Sequence, residues 1–257
     1  MPLFGSRSVG DLWERRYLLA ESFTTHFRAL LTVMAEVVPY PLLFRFAFPI
    51  GRLDAIPKSG KRLLELGQEF ALPDLSELQA AKPTGELRIA WNDEGLGLSV
   101  IVRGKKNEPE ADERMPTQGD GLQIWLDTRN TQTIHRASRY CHHFCFSPVG
   151  GGLSGEKSFG LQLPIAQARE ATPLAAKGSL LVNAELLDDG YHLETWLRRE
   201  QLQGFDPVAN REAGTPTRLG FYFVIRDREL GDQTLSVDDR FPFAFDPSLW
   251  ATLELTS

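Results

Sequence analysis

Hydrophobic and polar positions along this chain follow two grammars in succession. Between Asp11 and Val38 the apolar residues Leu12, Leu19, Phe23, Phe27, Leu30, Leu31, Met34 and Val38 recur at helical intervals, laying one apolar stripe along an amphipathic helix. Pro39 and Pro41 end it, because proline lacks a backbone donor and crowds the preceding turn. Beyond them the pattern has period two. Leu87, Ile89 and Trp91 alternate with other residues, Asn92-Asp93-Glu94-Gly95 supplies a turn, and Leu96, Leu98, Val100 and Val102 resume the alternation, which predicts a hairpin. Over 122–127, Leu122, Ile124 and Leu126 share one face while Gln123, Trp125 and Asp127 share the other. Further strands are predicted over 42–48, 140–146, 159–163, 180–186, 191–197, 219–226 and 250–255. Asp188-Asp189-Gly190 forms a second hairpin turn, and 199–202 a single helical turn. The 107–119 segment reads as a polar loop, and Gly150-Gly151-Gly152 as a flexible loop between strands. About nine or ten short strands without intervening helices predict an all-β fold, a two-sheet antiparallel β-sandwich of jelly-roll-like type with a short N-terminal helical segment. The expected division is a helical appendage at 1–40 and a sandwich at 41–257. Residues 1–33, which precede Met34, are expected to be dispensable for the sandwich or to reflect an upstream start.

Composition narrows the partners. The 257 residues carry 28 Lys and Arg against 34 Asp and Glu, a net charge of −6, which argues against a nucleic-acid partner, since a phosphate backbone selects a basic surface. At 42% hydrophobic and 24% charged, the chain can bury a sizeable core. Its cysteines, Cys141 and Cys145, would stand about 13 Å apart on a strand, beyond disulfide reach. With His142 and His143 they form no CxxC or HxxxH chelate in an extended segment, so zinc is not expected. The first residues show no basic and apolar leader, and the apolar stretch over 27–48 is interrupted by Arg28, Glu36, Arg45 and prolines. A cytoplasmic protein without a membrane span is expected.

Two groups of residues carry candidate chemistry. A saccharide is held by an aromatic face against its CH side and by fixed polar groups around its hydroxyls. Trp125, flanked by Gln123 and Asp127 on the face away from the leucines, suits that role. His143 joins them if 140–146 pairs with this strand. The plainer alternative is a Trp125 covered by another segment. The second group is the loop from Asp127 through Arg129, His135, Arg136 and Arg139, whose guanidinium groups offer forked donors to a polar or anionic ligand. Its plainer alternative is a solvated turn closed by Asp127 and Asn130. Trp91 reads as core, and Trp196, sharing a face with His192 and Glu194, as exposed or half-covered. Asp188-Asp189 and Asp238-Asp239 are ordinary turn pairs that could also ligate structural calcium. No Gly-x-Ser-x-Gly, phosphate loop, dinucleotide motif or HExxH occurs. No catalytic residues are assigned; a hydrolase using Asp120 with Glu194 stays open, because the separation of two carboxylates is invisible in sequence.

Four stretches resemble, in order, the carbohydrate-binding module family 9 sandwich, related in fold to DOMON domains. They are Ala90-Trp91-Asn92-Asp93 with its following strand, the run Gly119-Asp120-Gly121 through Asp127, Gly190-Tyr191-His192-Leu193-Glu194, and Asp246-Pro247 leading into the final strand. The resemblance implies a noncatalytic domain that clamps a terminal saccharide between two tryptophans beside structural calcium. Here Met115-Pro116-Thr117-Gln118 supplies no first clamp aromatic, Phe241, Phe243 and Phe245 stand where the second would fall, and Gln123 replaces a family glutamate. The expectation is a binding domain for a saccharide or other small polar ligand, or else a scaffold or protein-interaction domain that kept the fold and lost the clamp.

Overall fold

The computed structural model describes residues 44–75 and 82–256. The predicted N-terminal helix and the 1–40 appendage lie outside the described residues. The chain then forms β1 (Ala47–Ile50), β2 (Gly85–Asn92), β3 (Gly95–Arg103), β4 (Gly121–Asp127), β5 (Cys141–Gly151), β6 (Lys157–Leu163), β7 (Leu181–Leu187), β8 (Gly190–Arg198), the short helix α1 (Pro207–Glu212), β9 (Arg218–Arg226), β10 (Gln233–Thr234) and β11 (Ala251–Leu255). One sheet has seven strands in the order β1-β11-β9-β4-β5-β6, with β10 beside β9; the other runs β2-β3-β8-β7. The expected all-β sandwich is therefore the fold. Its pairing is antiparallel except for β1 against β11, which is parallel. Of the strand expected over 42–48, residues 42 and 43 lie outside the described residues, and β1 spans Ala47–Ile50.

Register explains the core. Leu122, Ile124 and Leu126 of β4 stand opposite Phe146, Phe144 and His142 of β5 and opposite Ile225, Phe223 and Phe221 of β9. Residues in one row share a face, so these side chains all turn toward the second sheet. There they meet Leu87, Ile89 and Trp91 of β2, Leu96, Leu98, Val100 and Val102 of β3, and Leu193 and Leu197 of β8. Trp91 is core, as the alternation required.

The outer faces are covered as well. On the four-stranded sheet, Ala90, Gly97 and Trp196 form one outer row, and Ile56, Leu64 and Leu66 pack on Ala90 and Trp196. Gly97 is needed there, because a Cβ would stand 2.9 Å from Leu64. Glu194 fastens this covering segment by accepting the backbone N–H groups of Leu63 at 2.8 Å and Glu65 at 3.0 Å. Trp196 is consequently only 2% exposed, which corrects the expectation of a half-covered indole. Alternation identifies the face of a strand and says nothing about what lies over it.

Two further differences from the sequence reading have local causes. Helix α1 was not anticipated, although Asp206 caps it by accepting the Ala209 N–H and Pro207 opens it, a pairing suited to a helix start. The triple glycine is not simply a loop: β5 continues through Gly151, and a Cβ on Gly150 would lie 2.4 Å from the Ala111 carbonyl oxygen. Gly150 also has φ +96°, so glycine permits both the turn and the close packing of the 107–119 loop. Among the described residues no helix is long and apolar enough to cross a membrane.

Candidate functional site

Trp125, His143 and Tyr222 occupy one row on the outer face of the seven-stranded sheet, so the anticipated side is correct. That face is closed. The indole stacks on the His143 ring with centroids 4.2 Å apart, Tyr222 and Phe243 meet it edge-on, and Phe243 stacks on Tyr222 at 4.5 Å. Phe243 arrives from the segment between β10 and β11, which is held where Trp250 Nε1 donates to the Phe243 carbonyl at 2.8 Å. Trp125 is left 3% exposed, so of the two readings the covered indole is the one the structure has, and the covering segment is the one that carries Phe243. Gln123 is engaged at both ends, its Nε2 donating to the Thr117 carbonyl at 3.3 Å and its Oε1 facing His143 Nε2 at 3.2 Å. Burial pushes the His143 pKa down to about 3, keeping the imidazole neutral inside this stack. The Trp125 indole N–H has no hydrogen-bond partner among the described residues.

The arginine-bearing loop lies at the end of β4 and closes on itself. Asp127 is buried, and its carboxylate accepts the N–H groups of Arg129 at 3.0 Å and Thr131 at 2.6 Å. Burial raises its pKa against the pull of those two donors. Asn130 adopts φ +48° within the turn. Arg129 and Arg139 both lie over the Tyr140 ring, at 4.6 and 5.3 Å. Arg136 donates to the Gln167 carbonyl at 2.8 Å, and exposed His135 meets Asp246 at 3.2 Å. The structure thus gathers Gln123, Trp125 and His143 into one sealed cluster. It leaves Asp127, Arg129, His135, Arg136 and Arg139 in a separate surface turn.

One acid of each candidate calcium pair has an ion-pair partner. Asp189 pairs with Arg103 and Asp238 with Arg240. Asp120 and Asp227, buried together, share the ammonium of Lys105 at 3.0 and 2.7 Å. Burial alone would lower the Lys105 pKa, but these two carboxylates outweigh it and raise it. The cationic charge calcium would bring is already supplied there by lysine, so these donors do not fit calcium. Among the described residues no group of three or more His, Cys, Asp or Glu is placed to hold a metal ion. Asp120 and Glu194, the carboxylate pair considered for a hydrolase, are committed to the Lys105 ion cluster and to the Leu63 and Glu65 amides.

An open cavity lies elsewhere, at the start of β2. It measures about 680 Å³ and is bounded by Leu72, Pro73, Thr84, Arg88, Arg103 and Phe223, with Leu87 and Gln233 also lining it. That volume falls within the range of small-ligand sites, about 300–1,000 Å³. Phe223 and Leu87 come from the buried core and supply its apolar base. The side chain of Gln233 accepts the N–H groups of Thr84 at 2.7 Å and Gly85 at 2.9 Å. Sequence reasoning missed this site because Gln233 and Gly85 lie 148 positions apart, and they meet only where β10, beside β9 in one sheet, packs against the start of β2 in the other.

The architecture defines a class, a two-sheet sandwich with both outer faces covered by chain. Among solved structures, it is similar to a carbohydrate binding module family 9 protein from Caldicellulosiruptor kristjanssonii in complex with glucose, at 15% sequence identity and a TM-score of 0.52, over 82% of this chain and 96% of that one. The same module in complex with cellotriose matches at 13% identity and a TM-score of 0.50, over 82% and 94%. The fold is carbohydrate-binding module family 9-like. No protein-family model matches the chain, and no curated protein matches it.

Proposed function

We propose that this protein is a noncatalytic binding domain that takes a saccharide or a similarly small polar ligand. The observation that supports this most is the likeness, over 82% of the chain, to a module solved with glucose and with cellotriose. The structural commitments of Asp120 and Glu194 agree with a role in binding rather than bond cleavage. A second reading, a scaffold or protein-interaction domain that has lost the clamp, draws on the closure of the Trp125 face beneath Phe243. Isothermal titration calorimetry of the full chain against glucose, cellotriose and a panel of plant and bacterial oligosaccharides separates the two. Saturable heat with at least one sugar supports the binding domain. A flat response across the whole panel favours the scaffold.

A further inference from the structure

The Trp125 face is sealed, but the β2-edge cavity is open and is lined by an amide donor that bonds none of the described residues. We infer that this cavity, and not the Trp125 face, seats a neutral polyhydroxyl ligand, with the Gln233 amide as its fixed donor; this rests on the binding reading above. The orientation of Gln233 follows from chemistry. Two backbone N–H groups, from Thr84 and Gly85, converge on one terminal atom of its side chain, and only the amide oxygen can accept both. The other terminus is therefore the NH₂ group. It has no partner among the described residues, although Gln233 is only 7% exposed and lines the cavity. The nitrogen keeps access to the solvent of the cavity, and an acceptor oxygen of a ligand can take the place of that solvent.

The lining selects the ligand class. Both arginines of the lining are already paired, Arg88 with Glu86 and Arg103 with Asp189, so neither guanidinium stands as an uncompensated charge that would select an anion. Phe223 and Leu87 give an apolar base for a CH-rich ring face, while Gln233, Thr84 and the charged rim offer donors and acceptors above it. That combination of apolar base and mixed polar rim matches a pyranose or related polyol.

Two variants test the seat by calorimetry, using glucose and cellotriose first and then any sugar from the panel that binds wild type. In Gln233→Glu either carboxylate oxygen still accepts the Thr84 and Gly85 amides, so the strand start stays pinned, but the donor is gone. Its thermal midpoint is expected to match wild type while Kd rises about tenfold, the scale of one lost hydrogen bond. Pro73 stands exposed on the rim, and both native cysteines are buried. Pro73→Cys carrying a bulky maleimide adduct is expected to lose binding altogether, while the same variant before labelling binds as wild type does. Affinity unchanged in Gln233→Glu, or surviving the adduct, overturns the cavity as the seat and leaves the binding reading intact. No sugar bound by wild type overturns both.

Discussion

Gln123 and Gln233 are amides on opposite faces of the same seven-stranded sheet, and both are nearly buried. Gln123 meets Thr117 and His143 and has no group left for a ligand. Gln233 uses only its oxygen, and its nitrogen lines an open cavity. The aromatic partners differ in the same way: Trp125 is packed on both its face and its edge, whereas Phe223 lies at the base of a space. A favourable set of residue types is thus insufficient for recognition. What matters is whether the fold leaves room beside them: the Trp125 indole N–H is unpaired but sealed, whereas the Gln233 amide nitrogen faces an open cavity.

The strongest test of this contrast is Trp125→Ala. If the indole is part of the packed outer layer, its loss should destabilise the chain by about 3–5 kcal/mol in a urea titration and leave sugar affinity unchanged. A loss below about 1 kcal/mol would mean that the face is an open platform after all. Phe243→Ala should cost slightly less and uncover Trp125. In a variant retaining Trp125 as its sole tryptophan, emission should be blue and resistant to iodide with Phe243 present, and red-shifted and quenchable without it.

The histidines of β5 sharpen the comparison through pH. Burial pulls His142 down to about 4 and His143 to about 3 from an ordinary 6.5. The unfolded chain therefore takes up protons that the folded chain refuses. Stability should be fully present above pH 6.5 and decline as the pH falls toward the folded values, by up to about 1.4 kcal/mol per pH unit for each histidine. Denaturation midpoints measured from pH 7 to 4 should show that decline, and His143→Gln should make it shallower. The smallest effect belongs to the surface turn. Changing both Arg136 and Arg139 to alanine should cost under about 1 kcal/mol and leave sugar affinity unaltered; a tenfold weakening would return the site to that loop.

Much of the sandwich was legible because burial on one side of a strand writes a period of two into the chain. The hairpins at 92–95 and 188–190, the apolar row of β4 and the core position of Trp91 all follow from that local rule. The closing turn of Asp127 and Asn130 was legible too, since an aspartate side chain reaches amides only a few residues ahead. The covering of Trp125 by Phe243 and of Trp196 by Leu64 was not, nor was the meeting of Gln233 with Thr84 and Gly85. Periodicity records that a face is apolar or polar, but which distant segment crosses it depends on the order of strands in the sheets. By itself the sequence determined the strands, their inward faces and the local turns, because those depend on residues within a few positions of one another. The tertiary structure alone decided which aromatic face was sealed and which amide stayed free, because contacts between segments more than a hundred residues apart leave no periodic trace in either one.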